Sequence, residues 1–526
     1  MKERKVLLHI TDLKQYFPIG KKSYGKKIKY VKANDGISID IYEGETFGLV
    51  GESGCGKSTF GRTILQLNAQ TGGRTIYYGR TVEDAAPKYI EDIFRNLTAK
   101  RNECKELRKK ADELKKVYED LKRKRKSDED AAAEIPGHLY ENYQNAEKAY
   151  NNLFLDVTGL IGGLYVADNL DEIQKVYQAE YQATADRRVF KGIQNKLKIK
   201  YDATVVDLSE KGKSKAEIEA ATATGKARIT AFGNKIAKKD EEIDELTEKI
   251  KRMKAKHKSH PDFDKYEANI DSGINLANLS IAEMRGLRND LQFIFQDPYS
   301  SLDARMTTGQ IIGEGLLAHK IYQKNNKEMQ EYVLEVMDKC GLSPYFIHRY
   351  PHQFSGGQRQ RIGIARSLAM NPKFVVCDEV VSALDVSIQS QIVNLLLDLK
   401  EQNELTYLFI SHDLSVIKYI SDRIGVMYLG NMVELSTTKD LFENTAHPYT
   451  EALLSAIPTI DLDSDKEAVI LEGDIPSPIN PPKGCKFHTR CNYCTDICKK
   501  VNPLFEEISS GHFVACHHKR TKKKEA

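Results

Sequence analysis

No stretch of this chain approaches the run of about eighteen apolar residues that a membrane span requires, so any contact with a bilayer is expected to be peripheral. An excess of one charge is missing too: 79 basic residues face 75 acidic ones, a net charge of +4, which argues against a nucleic-acid binder of the strongly basic kind. The start, MKERKVLLHITDLKQYF, lacks the continuous apolar core of a signal peptide because His9, Thr11 and Asp12 break it. A cytoplasmic location is the expectation, and in that compartment the nine cysteines are not expected to form disulfides. Tryptophan is absent, and no functional reading attaches to that.

What the chain does have is length and strongly uneven composition. Its 526 residues exceed what one hydrophobic core covers, so two or three domains are expected, and a hydrophobic fraction of 40% suffices for a sizeable core. Residues 1–79 and 272–455 alternate strand-like apolar runs such as TFGLV and FVVCDE with amphipathic segments, the pattern of an α/β fold with a buried, mostly parallel sheet. Residues 80–271 are dense in interleaved charge and in Lys, Glu and Ala, and read as a separate, mainly α-helical insert. Long helices are expected over 99–126 and 234–258, the second with Ile236, Ile243, Leu246, Ile250 and Met253 on one stripe. A more apolar middle around 150–205 is interrupted by Pro136, Gly137 and the pair Gly162–Gly163. The last region, 456–526, is rich in Pro, Cys and short loops and ends in the basic run KRTKKKEA; it is expected to be a small domain held by more than its core.

Chemistry concentrates in three places. GLVGESGCGKST contains G-x-x-x-x-G-K-S from Gly51 to Ser58, a loop whose glycines let backbone N–H groups close around phosphate at a helix N-terminus. In that arrangement Gly51, Glu52, Ser53, Gly54, Cys55, Gly56, Lys57, Ser58 and Thr59 cradle a nucleotide, Lys57 reaches the outer phosphates and Ser58 ligates Mg²⁺. FVVCDE ends a buried strand in two carboxylates, Asp378 for the Mg²⁺ shell and Glu379 as general base. FSGGQRQRIGIARSLAMNP opens a helix with Ser355, Gly356, Gly357 and Gln358, a second anion-seeking terminus, which suggests a nucleotide held between two subunits.

These motifs, in this order and with His412 after the strand LFISHD, resemble the nucleotide-binding domain of ATP-binding cassette (ABC) transporters, a P-loop NTPase fold with a helical subdomain. The resemblance implies ATP and Mg²⁺. It makes Gln296 of FIFQDP the glutamine that touches Mg²⁺ and faces the membrane subunits, Ser355 to Gln358 the signature that closes on the partner's ATP, Asp385 part of the loop after the catalytic strand, and His412 the γ-phosphate contact. Catalytic work then falls to Glu379, His412 and Gln296, Mg²⁺ ligation to Ser58, Gln296 and Asp378, and stacking on adenine to Tyr16. Cys55, inside the loop, is expected to be open to alkylation with loss of activity.

Longer stretches narrow the match: FQDPYSSLDARM, YPHQFSGGQRQRIGIARSLAMNP, DEVVSALDVS and HPYTEALLSAIP resemble oligopeptide and dipeptide permease ATPases, most closely the F-type subunit. That resemblance implies import of oligopeptides, with a D-type ATPase, two transmembrane permease subunits and an extracellular peptide-binding protein as partners, peripheral attachment at the cytoplasmic face of the membrane, and no nucleic acid. Val380 stands where the subfamily usually has Pro, and Asp303-Ala304 where it has Asn-Pro. At the C-terminus Cys485, Cys491, Cys498 and Cys516 match four cysteines that hold an iron–sulfur cluster in such proteins, while Cys494 has no counterpart. Four thiolates suit a [4Fe–4S] cluster or zinc, and free thiols are the third reading. The alternative to transport is a chromosome-maintenance ATPase with a coiled-coil arm, although in that class the coil follows the glutamine loop and no HPYT segment is present.

Overall fold

A computed structural model describes residues 4–19, 29–127, 137–457 and 471–519. The tail KRTKKKEA beyond Lys519, and Pro136, lie outside the described residues. The chain divides into two compact units, one of residues 1–79, 275–277 and 281–526, the other of residues 80–274 and 278–280.

The first unit is built on strands β1 (Val6–Ile19), β2 (Lys29–Tyr42), β3 (Thr46–Val50), β4 (Gly72–Tyr77), β5 (Leu291–Ile294), β6 (Phe374–Asp378), β7 (Thr406–Ile410), β8 (Arg423–Tyr428), β9 (Asn431–Thr437), β10 (Glu506–Ser509) and β11 (His512–Val514). An eight-stranded sheet runs in the order β10-β11-β9-β8-β3-β7-β6-β5. Its centre is parallel: β3 lies between β7 and β8, and β6 between β5 and β7. Every residue of β3, β6 and β7 is buried. That is why these strands read as continuous apolar runs and not as alternation, since both faces of a parallel sheet are covered.

β8 and β9 form an antiparallel hairpin whose two-residue turn, Leu429–Gly430, has φ +44° and +80°, the left-handed pair that suits the strand twist. The C-terminal cysteine-rich segment continues the same sheet, with β11 pairing β9 at Glu434↔Val514 and Leu435↔Phe513. A second sheet pairs β2, β1 and β4 antiparallel. The helices Thr308–Ala318, Lys327–Lys339 and Gly356–Leu368 share a core through Ile311, Leu316, Val333, Met337, Ile362 and Ala365.

The second unit is helical, with long helices at Leu97–Ser127, Gly137–Ile161, Asp171–Glu210 and Lys215–His257. The last of these starts well before the expected 234, because Ser214 and Glu217 form a capping box. Ile236, Ile250 and Met253 of the expected stripe are buried, and Leu246 packs against the core that holds Ile250 and Met253. Gly162–Gly163 opens a 3₁₀ turn where a Cβ on Gly163 would lie 2.4 Å from the Phe263 ring. The core, with Ile90, Phe94, Val157, Leu164, Ile173 and Tyr177, gathers at one end of the two longest helices. Beyond it those helices continue as a two-stranded arm, Phe190 against Phe232.

Candidate functional site

Strand β3 delivers the chain into the loop Gly51–Gly56, and the helix Lys57–Ile64 leaves it. Gly51, Gly54 and Gly56 have φ of +151°, +80° and +105°, open to glycine alone without strain. Two of them also have no room for a side chain. A Cβ on Gly51 would lie 2.2 Å from the Met427 carbonyl oxygen, and one on Gly56 2.1 Å from that of Ala33. Lys57 is buried and its Nζ donates to the carbonyls of Gly51 (2.7 Å) and Glu52 (3.1 Å), spanning the loop. Ser53 to Thr59 line a cavity of about 360 Å³ together with Phe17, Val31, Lys32, Ala33, Gln296 and Glu379. That volume suits a small-molecule ligand.

At the mouth of this cavity the end of β6 meets the loop. Ser58 Oγ donates to Asp378 Oδ1 at 2.7 Å. Asp378 is fully buried, and burial raises its pKa above the ordinary carboxylate value against the pull of Ser58 and Arg62. Its Oδ2 accepts no hydrogen bond, although Arg62 stands 3.9 Å away. A buried carboxylate oxygen left this way, beside a serine hydroxyl, fits a divalent cation. Glu379 follows with φ +48°, a conformation that costs a non-glycine residue on the order of 1 kcal/mol. It is held there by its N–H on the Ile410 carbonyl (2.9 Å) and by Ser382 Oγ on its own carbonyl (2.9 Å). Its carboxylate accepts from Gln296 Nε2 at 2.6 Å, and His412 Nδ1 stands 3.5 Å away. Gln296, Glu379 and His412, far apart in sequence, are thus one cluster.

The remaining expected residues fall elsewhere. Ser355 caps the helix Gly356–Leu368 in a box with Gln358, and neither these residues, Gly357 nor Asp385 lines the cavity. Tyr16 does not line it either: successive strand side chains point to opposite faces, and Tyr16 turns its hydroxyl onto Asp35. The aromatic ring at the cavity is Phe17, the neighbour on β1, and the adjacent aromatic in the sequence was the available signal. Glu52 also faces away, onto Arg490. Cys55 is 3% exposed and burial raises its thiol pKa, which disfavours the thiolate that alkylation requires. Val380 is buried at 2% exposure beside Glu379, and Asp303 pairs with Arg305 at 2.8 Å.

Comparison with known proteins follows the same outline. A model of the ABC transporter family matches residues 34–154 and 264–382, and one described as oligopeptide/dipeptide transporter, C-terminal region, matches 433–498. The oligopeptide transport ATP-binding protein AppF of Bacillus subtilis is 52% identical over 248 residues, 47% of this chain and 75% of the relative. OppF of Haemophilus influenzae, under the same description, is 52% identical over 46% of this chain and 74% of its own length. The chain belongs to the ABC transporter ATP-binding proteins of the oligopeptide/dipeptide family. It is an ATPase of that family, on a P-loop NTPase fold.

In this ABC ATPase Cys485, Cys491, Cys498 and Cys516 line one small cavity with His447, Phe487 and His488, while Cys494 does not. Burial raises the Cys485 thiol to about 11. Among the described residues no three His, Cys, Asp or Glu side chains are placed to hold a metal ion, so the expectation of a zinc ion or an iron–sulfur cluster finds no support in the geometry. No described helix is long and apolar enough to cross a membrane.

Proposed function

We propose that this ABC ATPase powers the import of oligopeptides across the bacterial cytoplasmic membrane, and that the observation carrying its chemistry is a cavity lined by Ser58, Gln296 and Glu379, with Asp378 bonded to Ser58 and His412 beside Glu379. Mg²⁺ would be held by Ser58, Asp378 and Gln296, where it would neutralise phosphate charge. Lys57 exchanges its carbonyl partners for the outer phosphates of ATP, and Phe17 takes the adenine-stacking role expected of Tyr16. Glu379 accepts a proton from the attacking water, while Gln296 and His412 fix its carboxylate and meet the γ-phosphate.

Ser355 to Gln358, remote from this cavity, serve a nucleotide bound by a second cassette, and Asp385 lies near that closure. The partners are a related D-type ATPase, two permeases and an extracellular peptide-binding protein, with this subunit peripheral on the cytoplasmic side. Relatives described as oligopeptide transport ATP-binding proteins support the substrate class. No step passes through the C-terminal cysteines.

The test is Glu379→Gln. ATP binding is retained and hydrolysis falls by about two orders of magnitude or more, since a group acting in the transition state is removed. Turnover unchanged in that variant removes Glu379 from the role.

A further inference from the structure

The segment Lys486–Arg490, between Cys485 and Cys491, reaches the nucleotide site at two points. Arg490 places its guanidinium on the Glu52 carboxylate in a two-pronged pair, Nη1–Oε2 2.8 Å and Nη2–Oε1 3.1 Å, with the arginine side chain 6% exposed. Glu52 is fixed by its backbone as well: its N–H donates to the Tyr449 hydroxyl at 2.8 Å, and its carbonyl accepts from Lys57. Four residues before Arg490, Lys486 donates to Asp35 Oδ2 (3.0 Å) and to the carbonyl of Leu429 (3.1 Å), a residue of the cavity wall. Asp35 in turn holds the Tyr16 hydroxyl and, through its N–H, the Gly430 carbonyl. Between the two cations Phe487 is seated on Tyr428, His447 and Tyr449, with ring centres 5.2, 5.7 and 5.3 Å away.

We propose that Arg490 is a positioning residue for nucleotide binding: it neutralises Glu52 and draws its carboxylate away from the phosphate loop, so that the C-terminal region sets the affinity of a site it does not line. The physical reason is the sign of Glu52. A carboxylate next to Ser53 opposes an incoming triphosphate unless a cation covers it. The two-pronged pair joins a buried guanidinium to a half-buried carboxylate through two charge-assisted hydrogen bonds, and removing one partner leaves the other charge bare.

This rests on the reading of Gly51–Thr59 as the ATP loop, and titration of the full-length protein with a fluorescent ATP analogue separates the two ideas. If the wild type does not bind the analogue, that reading fails. If it binds, Arg490→Gln is expected to weaken binding at least tenfold, Arg490→Lys by less, and Arg490→Gln with Glu52→Gln to recover most of the loss, because the bare charge is gone. A purely structural arginine predicts the opposite for the double variant, no recovery. Equal affinity in Arg490→Gln, or no recovery in the double variant, overturns the proposal.

An independent observation concerns the arm. Residues 187–201 of its first helix carry Arg187, Arg188, Lys191, Lys196, Lys198 and Lys200 and no acidic residue. Residues 225–239 of the second carry Lys226, Arg228, Lys235, Lys238 and Lys239, again with none. The helices pair antiparallel so that these two stretches lie side by side, as Arg187–Asp240, Gln194–Ile229 and Phe190–Phe232 show. Val189 and Ile199 stand 54% and 69% exposed within the first stretch. The charge pattern assigns this band to an anionic lipid surface, since a headgroup layer accepts both the cations and the aliphatic side chains whereas a bare phosphate backbone leaves the latter in water.

Sedimentation of the whole protein with phosphatidylglycerol vesicles tests it. Binding to these but not to phosphatidylcholine vesicles is expected, weakened by salt and by Lys196, Lys198 and Lys200→Glu, with ATPase activity unchanged. Equal binding to both vesicles, binding insensitive to the triple variant, or capture by RNA in preference to vesicles overturns it.

Discussion

The cassette and the insert use the same amino acids under opposite constraints. In the cassette every residue of β3, β6 and β7 is buried, and the loops at their ends inherit that rigidity. In the insert the 40-residue helix Asp171–Glu210 buries Ile173, Val176, Tyr177, Tyr181, Ala183 and Thr184, all in its first part, and nothing beyond. One region is fixed by packing on all sides. The other is helical because its residues favour helix and its longest helix opens on the Ser214–Glu217 capping box, with packing concentrated at one end. The difference teaches where chemistry can reside: Glu379 is held in a strained backbone only because the surrounding sheet over-determines it.

The comparison breaks most sharply at glycine. Gly56→Ala is expected to abolish nucleotide binding, because a Cβ there meets the Ala33 carbonyl at 2.1 Å in a left-handed conformation; near-normal titration of an ATP analogue would contradict it. Next in size is the core. Leu408→Ala, at a fully buried position of β7, costs about 2–5 kcal/mol in denaturant unfolding, whereas Ile199→Ala on the arm stays within about 0.5 kcal/mol. Comparable losses at the two sites would mean that the arm is packed against something.

Acid sharpens the contrast further. Buried His447 has its pKa pushed down from 6.5 to about 4 by desolvation. The folded protein therefore binds this proton less readily than the unfolded chain, so stability is intact above about pH 6.5 and is lost as pH falls toward 4, on the order of 3 kcal/mol in all. His447→Asn, which keeps an acceptor for the Tyr449 N–H, should flatten that slope in the cassette's unfolding. Gly192→Ala, where a Cβ meets nothing within 4 Å, acts in the opposite direction: a gain of about 0.5–1 kcal/mol in helix stability is expected, read as a small rise in the arm's thermal midpoint.

Much of the site was legible because its chemistry is local. Gly51–Thr59 announces its own function through glycines at fixed spacing, and Asp378–Glu379 through a strand that ends in acid. The capping box Ser214–Glu217 is equally local, yet the apolar stripe that marks the helix begins only at Ile236, so the periodicity alone places the start too late. Phe17 was masked by its neighbour Tyr16: which of two adjacent strand residues faces a cavity depends on pleat and register, and β1 carries several register shifts against β2.

By itself, then, the sequence determined the periodicities and short motifs: the buried parallel strands, the phosphate loop, the carboxylate pair and the charged helical insert. Tertiary structure alone decided what meets at long range. It brought Gln296, Glu379 and His412 together, left Asp378 Oδ2 without a donor, paired the two basic stretches of the arm, and set Arg490 on Glu52, 438 residues earlier. The reason is physical. Backbone conformation and amphipathicity are written in neighbouring residues, whereas the partner of a buried charge is chosen by the whole packed core, which no window of sequence contains.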